Sequence, residues 1–586
     1  MLGFHSKILV ADLTHRAFRI EEVADAVLGR YLGGKGLGTE LLLRHAPAGV
    51  DPLSPDNPVV FAVGPVTDTR VPGSCRHALF TKSPQTGFYS ESYSGGRLAE
   101  KISRTGFDAV VLTGASDEPV FVEVSEAGAR FHDAAHLWGK DCYAAEVPLV
   151  EAYGGATRAG AAVIGPAGEN RVAFAIVAND RWRCAGRTGA GAVLGAKGVK
   201  GVVFHGSAPR RAADAEGVAA FARRTTREKK DHAATQAYKN FGTPMMVALL
   251  NSVGGFPARY WHQGRREHWE KISAEAMQAR CAVRPKACAR CFMACGKLTE
   301  VTSGRHRGLR IEGPEYETIY AFGGLCLIES IEEIAYLNDL CDRLGVDTIT
   351  AGNLVALAME AGARGTLAEA PRFGDPDGAA ALLEDIAARR GLGEALAGGI
   401  RQAARQWGVE DVAVHVKGLE PAGYDPRVLK GMGLAYATSD RGACHLRATF
   451  YKPELSGQIP PDAVEGKAKL FVEYEDRLTL FDTLVLCRFY RDFYQWPELA
   501  EMVRLSTGLE VGEAGLRRIA RDVTDQVRRF NLREGLTPED DWLPDRLFDE
   551  PLPETGARLT REELARMRRE YYEHRGWDEQ GRPEKA

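Results

Sequence analysis

Three thiols stand close together in the stretch KACARCFMACGK, at Cys288, Cys291 and Cys295. C-x2-C-x3-C is a soft-metal spacing, and such sites take four ligands, so one is missing from the run. A cubane iron–sulfur cluster accepts one thiolate per corner iron and suits a trio with a distant fourth. Zinc more often takes two C-x-x-C pairs. Cys281 lies seven residues upstream and Cys487 far downstream. On spacing alone, structural zinc and uncoordinated core thiols stand beside the cluster as alternatives. From Arg280 to Arg310, eight Lys or Arg accompany one acid, Glu300, in a chain of net charge −4. Such a local field would steer an acidic electron carrier to the thiols, or compensate the charge of a cluster or of phosphates.

These residues need a scaffold, and 586 residues with 45% hydrophobic and 26% charged composition predict roughly two to four globular domains. No apolar run approaches the ~20 residues of a membrane span, and MLGFHSKILVADLTH turns polar before a secretory core could form. A cytoplasmic location is expected. Eleven cysteines, an odd number with one dense cluster, fit a reducing compartment better than a disulfide framework. The charge balance gives no reason to expect nucleic acid or membrane binding.

Up to residue 207 the segments KILVADLT, PVVFAVGPVT, DAVVLTG, PVFVEV, ARFHD, RVAFAIVAND and GVKGVVFHG predict strands separated by turns. From 208 the period becomes helical. The fold class expected is α+β: a β-rich domain over 1–207, then two largely helical domains over 208–417 and 418–586, broken at the loop GLEPAGYDPR. Ser330 and Glu333 form an S-x-x-E capping box for a helix whose apolar face, Ile334, Leu337, Cys341 and Leu344, stops at Gly345. The C-terminal TREELARMRREYYEHRGWDEQGRPEKA is expected to be a charged surface helix. GGKGLG, Gly33 to Gly38, follows a helix-like segment rather than a strand, so no nucleotide site is expected there.

Several long motifs recur in order: YLGGKGLGTELL, GPVTDTRVPGSCRHALFTKSP, GFYSESYSGG, NDRWRCAGRTGAGAVLGAKGVK, CARCFMACGK, GPEYETI, DRLGVDT, AYATSDRGACHLR and DTLVLC. With them the chain closely resembles the aldehyde ferredoxin oxidoreductase family, tungsten or molybdenum bis-pterin enzymes. The resemblance implies that Cys288, Cys291, Cys295 and Cys487 bind a [4Fe–4S] cluster, with Cys281 a bystander. The family's D-x-x-G-L-C becomes Asp482 to Cys487 here, with Val485 in place of glycine. It implies further that DRLGVD grips one pterin through Asp342, Val346 and Asp347 and that Asp482 grips the other. A carboxylate accepts hydrogen bonds, and a pterin edge is rich in donors.

By the same resemblance Arg76 lies between pterin and cluster, and Arg183 and Arg187 meet the phosphates. Gly95 and Gly186 permit close backbone approach. Tyr93 and Cys184 act through their carbonyls on a magnesium bridging the phosphates. Glu317 and His445 are the candidates for proton transfer, with Glu315 as fallback, and Tyr316 and Tyr424 line the substrate pocket. The reaction implied is oxidation of an aldehyde to a carboxylic acid with water, electrons leaving through the cluster to ferredoxin or a small iron–sulfur subunit, in a homo- or hetero-oligomer. Two other readings are carried: the active-site subunit of an ATP-independent arenoyl-coenzyme A reductase of the same superfamily, and a zinc-stapled binding protein. No residue chooses between tungsten and molybdenum.

Overall fold

The computed structural model describes residues 1–584. Up to residue 207 the chain forms twelve strands in two sheets, with short helices between them. One six-stranded sheet runs, edge to edge, Ala17–Glu22, Lys7–Asp12, Ala109–Thr113, Val59–Ala62, His77–Lys82, Tyr89–Ser94. The second runs Arg183–Ala185, Val177–Asn179, Ala159–Val163, Val199–His205, Val120–Ser125, Gly128–Asp133.

Period-2 alternation explains the unbroken apolar runs, because each face of the first sheet meets a different core. Leu9, Phe61, Leu79 and Val110 point into a core shared with Val122, Val202 and Phe204 of the second sheet. Their neighbours Ile8, Val60, Phe80 and Val111 pack with Leu37 and Leu41 of the helix Gly34–His45 and with Leu484 and Phe530 from C-terminal helices. Of RVAFAIVAND only Val177–Asn179 pairs as a strand; the preceding residues are buried in irregular backbone.

After residue 207 the structure is helical except for one small sheet, Cys281–Lys286, Gly296–Val301 and Arg310–Glu312, which the periodicity does not announce. The helix Ile331–Leu344 ends at Gly345 in the left-handed region, as its sequence predicts. Its capping box is half formed. Ser330 accepts from the Glu333 amide at 3.3 Å, but the Glu333 carboxylate turns away to Arg305 and His306.

The C-terminal helix Arg561–Arg575 is docked rather than peripheral. Leu564, Met567 and Tyr571 supply a hidden apolar stripe, and buried Arg575 forks between Glu475 and Asp476. No helix among the described residues is long and apolar enough to cross a membrane.

Candidate active site

The two sheets meet edge to edge. Ser94 Oγ bonds Asn179 Oδ1 at 2.6 Å and Ser90 Oγ bonds Thr188 Oγ1 at 2.6 Å. The seam brings Tyr93 and Gly95 of one edge beside Arg183 to Arg187 of the other. A cavity of about 270 Å³ opens there, lined by Arg76, Tyr93, Gly95, Arg183, Glu315, His445 and Asp482 together with Cys288, Cys295 and Cys487. Residues spread over four hundred positions of sequence are thereby gathered at one place.

The cysteine trio occupies the connection between the strands Cys281–Lys286 and Gly296–Val301. Cys487 follows the helix Lys467–Leu484, and its amide donates to the Gly73 carbonyl at 2.8 Å. Cys291 Sγ lies 3.3 Å from the Tyr490 hydroxyl. A Cβ at Gly95 would come within 3.0 Å of Cys288 Sγ, so glycine lets the backbone close on the thiols. Cys281 points into a separate small core with Val301 and Ile311.

Asp482 sits in the last turn of its helix and accepts from Arg447 at 2.9 Å and from Arg488. Arg447 also pairs with buried Glu91, which Lys35 reaches at 3.1 Å and the Tyr93 hydroxyl at 2.7 Å. The Tyr93 carbonyl accepts from Arg76 at 2.9 Å. Lys35 belongs to GGKGLG. Its helix lies directly under the Asp482 turn, where a Cβ at Gly34 would come within 2.2 Å of the Asp482 carbonyl. The glycines serve close packing. Val485 has φ 56° and ψ 45°, so the family's glycine position keeps its left-handed conformation with a β-branched side chain.

Around the cavity the guanidinium N–H groups Arg447 Nε and Nη2, Arg488 Nη1 and Arg491 Nε and Nη2 are buried without a partner. Unmet cationic donors around a void are what a phosphate-bearing anion would satisfy. The donor set therefore fits a phosphorylated pterin.

On the far side of the seam Arg183 pairs with Glu312, while Arg187 is buried, donates to the carbonyls of Glu420 and Ala443 and lies 3.8 Å from Asp347. Asp347 caps the helix Thr348–Ala363 through Thr350 N at 2.9 Å; its other oxygen faces Gly186. Asp342 is buried, with Asn338 at 2.9 Å and Cys184 Sγ at 3.7 Å, and burial pushes its carboxyl well above the usual range. Val346 is buried and bridges to Ala175.

Glu317 and His445 meet, Oε1 to Nε2, at 3.5 Å. Glu317 Oε2 accepts from the Gly423 amide at 3.0 Å, and burial pushes the carboxyl up to about 8 despite that bond and Arg187. Burial and then Arg187, Arg441, Arg488 and Arg447 hold His445 well below the usual histidine range. The pair is therefore a protonated carboxyl facing a neutral imidazole at neutral pH. Tyr424 stacks on His445 at 5.6 Å and on Tyr451 at 4.2 Å, and its hydroxyl has no hydrogen-bond partner among the described residues. The Tyr316 hydroxyl is committed to the Gly423 carbonyl. Glu315 does not join Glu317: it caps the helical turn Tyr316–Thr318 instead of lying in a strand, and it turns to Thr243 near Arg183 and Cys295.

The basic segment is largely neutralised by acids distant in sequence. Arg280 pairs with Glu332, Lys286 with Glu312, Arg290 with Asp68 and Glu100, Arg305 with Glu333 and Asp377, and Arg310 with Glu300. Lys297 is buried against the carbonyls of Tyr238 and Cys295. Arg284 and Arg307 alone of the eight lack such a partner among the described residues.

Sequence reasoning did not single out Cys75, Glu91, Glu312, Tyr451, Arg447, Arg488 or Arg491. Arg447 and Arg488 adjoin the motif residues His445 and Cys487, and Cys75 precedes Arg76, so adjacency was the available signal.

The chain is similar to known proteins along its whole length. The family model for the N-terminal domain of aldehyde ferredoxin oxidoreductase matches residues 8–206, and that for its domains 2 and 3 matches 220–586. Tungsten-containing aldehyde ferredoxin oxidoreductases of Pyrococcus furiosus and Thermococcus kodakarensis are each 34% identical over 99% of this chain and 98% of their own. An aliphatic sulfonate oxidoreductase, WOR-like subunit, of Pyrococcus furiosus is 27% identical over 100% of this chain and 96% of its own. In fold the chain resembles the active site complex BamBC of benzoyl coenzyme A reductase, solved with 1,5-dienoyl-CoA. The TM-score is 0.84 at 23% identity, covering 99% of this chain and 96% of that one. Matched along both halves and at full length, this chain is an oxidoreductase of the aldehyde ferredoxin oxidoreductase family.

Proposed function

We propose that this protein oxidises aldehydes to carboxylic acids with water as the oxygen source and delivers the electrons through a [4Fe–4S] cluster to ferredoxin or an iron–sulfur partner subunit. The observation that carries the reading is the Glu317–His445 pair at 3.5 Å, with His445 on the wall of the cavity that also holds the thiols. Proton chemistry and electron exit share one space.

Aldehyde plus water yields acid, two electrons and two protons. The chemistry that a tungsten or molybdenum bis-pterin with its magnesium would supply here is polarisation of the carbonyl and acceptance of two electrons. The chain's own groups do the rest. Asp342, Asp347 and Asp482 would hold the pterin edges, and Arg76, Arg183, Arg187, Gly95 and Gly186 the phosphate ends. Carbonyls at Tyr93 and Cys184 would face the magnesium. The neutral His445 imidazole can take the proton from the attacking water, with the protonated Glu317 carboxyl 3.5 Å away as its relay partner. Tyr424, with its hydroxyl uncommitted, positions the carbonyl oxygen.

Cys288, Cys291, Cys295 and Cys487 would hold the cluster. Anaerobic assay of the purified protein against aliphatic and aromatic aldehydes with a viologen acceptor, beside elemental analysis, tests the reading. Turnover with about four irons and one tungsten or molybdenum per chain is expected. A full metal complement with no aldehyde turned over sinks it, and ring reduction of an arenoyl-coenzyme A by the same preparation would put the reductase in its place.

A further inference from the structure

Cys75, Cys288, Cys295 and Cys487 line the cavity, and with Cys291 of the trio the site gathers one thiol more than a cluster needs. Cys75 is buried and lines the same wall as Cys288, Cys295 and Cys487. Its thiol lies beside that of Cys288 on this wall. The turn that carries it is pinned on both sides. Before it, the Gly73 carbonyl accepts from the Cys487 amide at 2.8 Å, and a Cβ at Gly73, where φ is +88°, would meet the Tyr490 ring at 2.7 Å. After it, Arg76 donates to the Tyr93 carbonyl at 2.9 Å. The backbone that carries the thiol therefore cannot move away from the site without breaking contacts that also hold Cys487.

A cubane presents four irons to four thiolates, and the trio with Cys487 supplies them all. A fifth thiol that displaces none of these keeps its S–H, and toward a metal-bound thiolate sulfur it acts as the donor. We propose that Cys75 is a tuning residue of the iron–sulfur centre, its S–H donating to the Cys288 sulfur and raising the cluster's reduction potential. This rests on the iron–sulfur reading given above. Reduction adds negative charge that spreads onto the sulfurs, so a fixed donor stabilises the reduced cluster more than the oxidised one. Burial strengthens the bond by removing competing water. A second donor, the Tyr490 hydroxyl 3.3 Å from Cys291 Sγ, would act in the same direction on a neighbouring corner.

The test uses full-length holoprotein as wild type, C75A and C75S, with iron analysis and potentiometric titration of the cluster followed by electron paramagnetic resonance. About four irons are expected in all three. At a poise where half the wild-type clusters are reduced, the reduced-to-oxidised ratio in C75A falls several-fold, a tenfold change corresponding to about 59 mV for one electron. C75S keeps a donor and stays close to wild type. A C75A midpoint equal to wild type overturns the proposal. Loss of iron from C75A overturns it as well, because a donor that is not a ligand leaves the iron count intact. Wild type without a four-iron signal would instead sink the iron–sulfur reading itself, and the proposal with it.

Discussion

At the scale of single residues, Glu317 shows how position changes chemistry. Burial pushes its carboxyl up to about 8, against one amide donor and the Arg187 guanidinium. E317Q keeps the shape and the hydrogen bond to Gly423 but removes the transferable proton of the relay, so kcat/KM for aldehyde should fall about 10²–10⁴-fold with the metal content unchanged. Linkage supplies a second outcome in the cofactor-free protein. Between the ordinary value of 4.5 and about 8, the folded state holds a proton on Glu317 that the unfolded state has lost. Wild-type stability therefore falls as pH rises through that window, on the order of 1.4 kcal/mol per unit at most. E317Q should lack this loss, so urea titrations should find the variant gaining on wild type from pH 5 to pH 8. Parallel curves would mean that the carboxylate is stabilised by something other than the contacts described.

Among the elements, the helix Lys467–Leu484 and its exit decide where one cofactor face lies. Val485 ends it in a left-handed conformation that costs a non-glycine residue about 1–2 kcal/mol, while its buried side chain packs toward Gly34 and recovers about 1.5–3 kcal/mol. V485A loses most of the packing and keeps the strain, whereas V485G loses the packing and the strain together. The usual order should reverse, with V485G no less stable than V485A in chemical denaturation. A second element deserves its place beside this one. The segment after Glu317, Ile319–Leu325, is a π-helix, and Arg259 and Tyr260, both with positive φ, donate their amides to its terminal carbonyls at 3.1 Å. Widened helical turns of this kind recur at functional sites because they re-aim the side chains that precede them.

For the whole molecule, the long return of the chain closes the thiol site. C487A should cost the protein its cluster iron although the C-x2-C-x3-C run is intact, and iron analysis with the visible absorption of the cluster would register the loss. Retention of four irons would reassign the fourth ligand. Charge is likewise a property of the fold. Because Arg305 is already paired with Glu333 and Asp377, the R305E variant should reduce ferredoxin within about twofold of wild type, at a stability cost of about 1 kcal/mol or less for a half-exposed pair. A selective loss with ferredoxin, sparing a small viologen, would restore the basic segment as a docking surface.

Much of this could be had from the sequence. Period-2 runs located most strands of the first 207 residues, and the Ser330 to Gly345 pattern placed a helix with both of its ends, because local sterics and hydrogen bonding act within a few residues. The motif thiols, the paired Glu317 and His445 and the aspartates were visible as residue types. What the tertiary structure alone decided depended on partners far away in sequence. Glu315 and Glu317 part company at a helical turn, six of eight cations find acids or carbonyls, and the charged C-terminal helix is docked by three apolar residues and Arg575. Cys75 comes to lie against Cys288. Such facts are set by which surfaces the sheets and helices bury together, and burial converts an unremarkable carboxyl, thiol or guanidinium into one with a task.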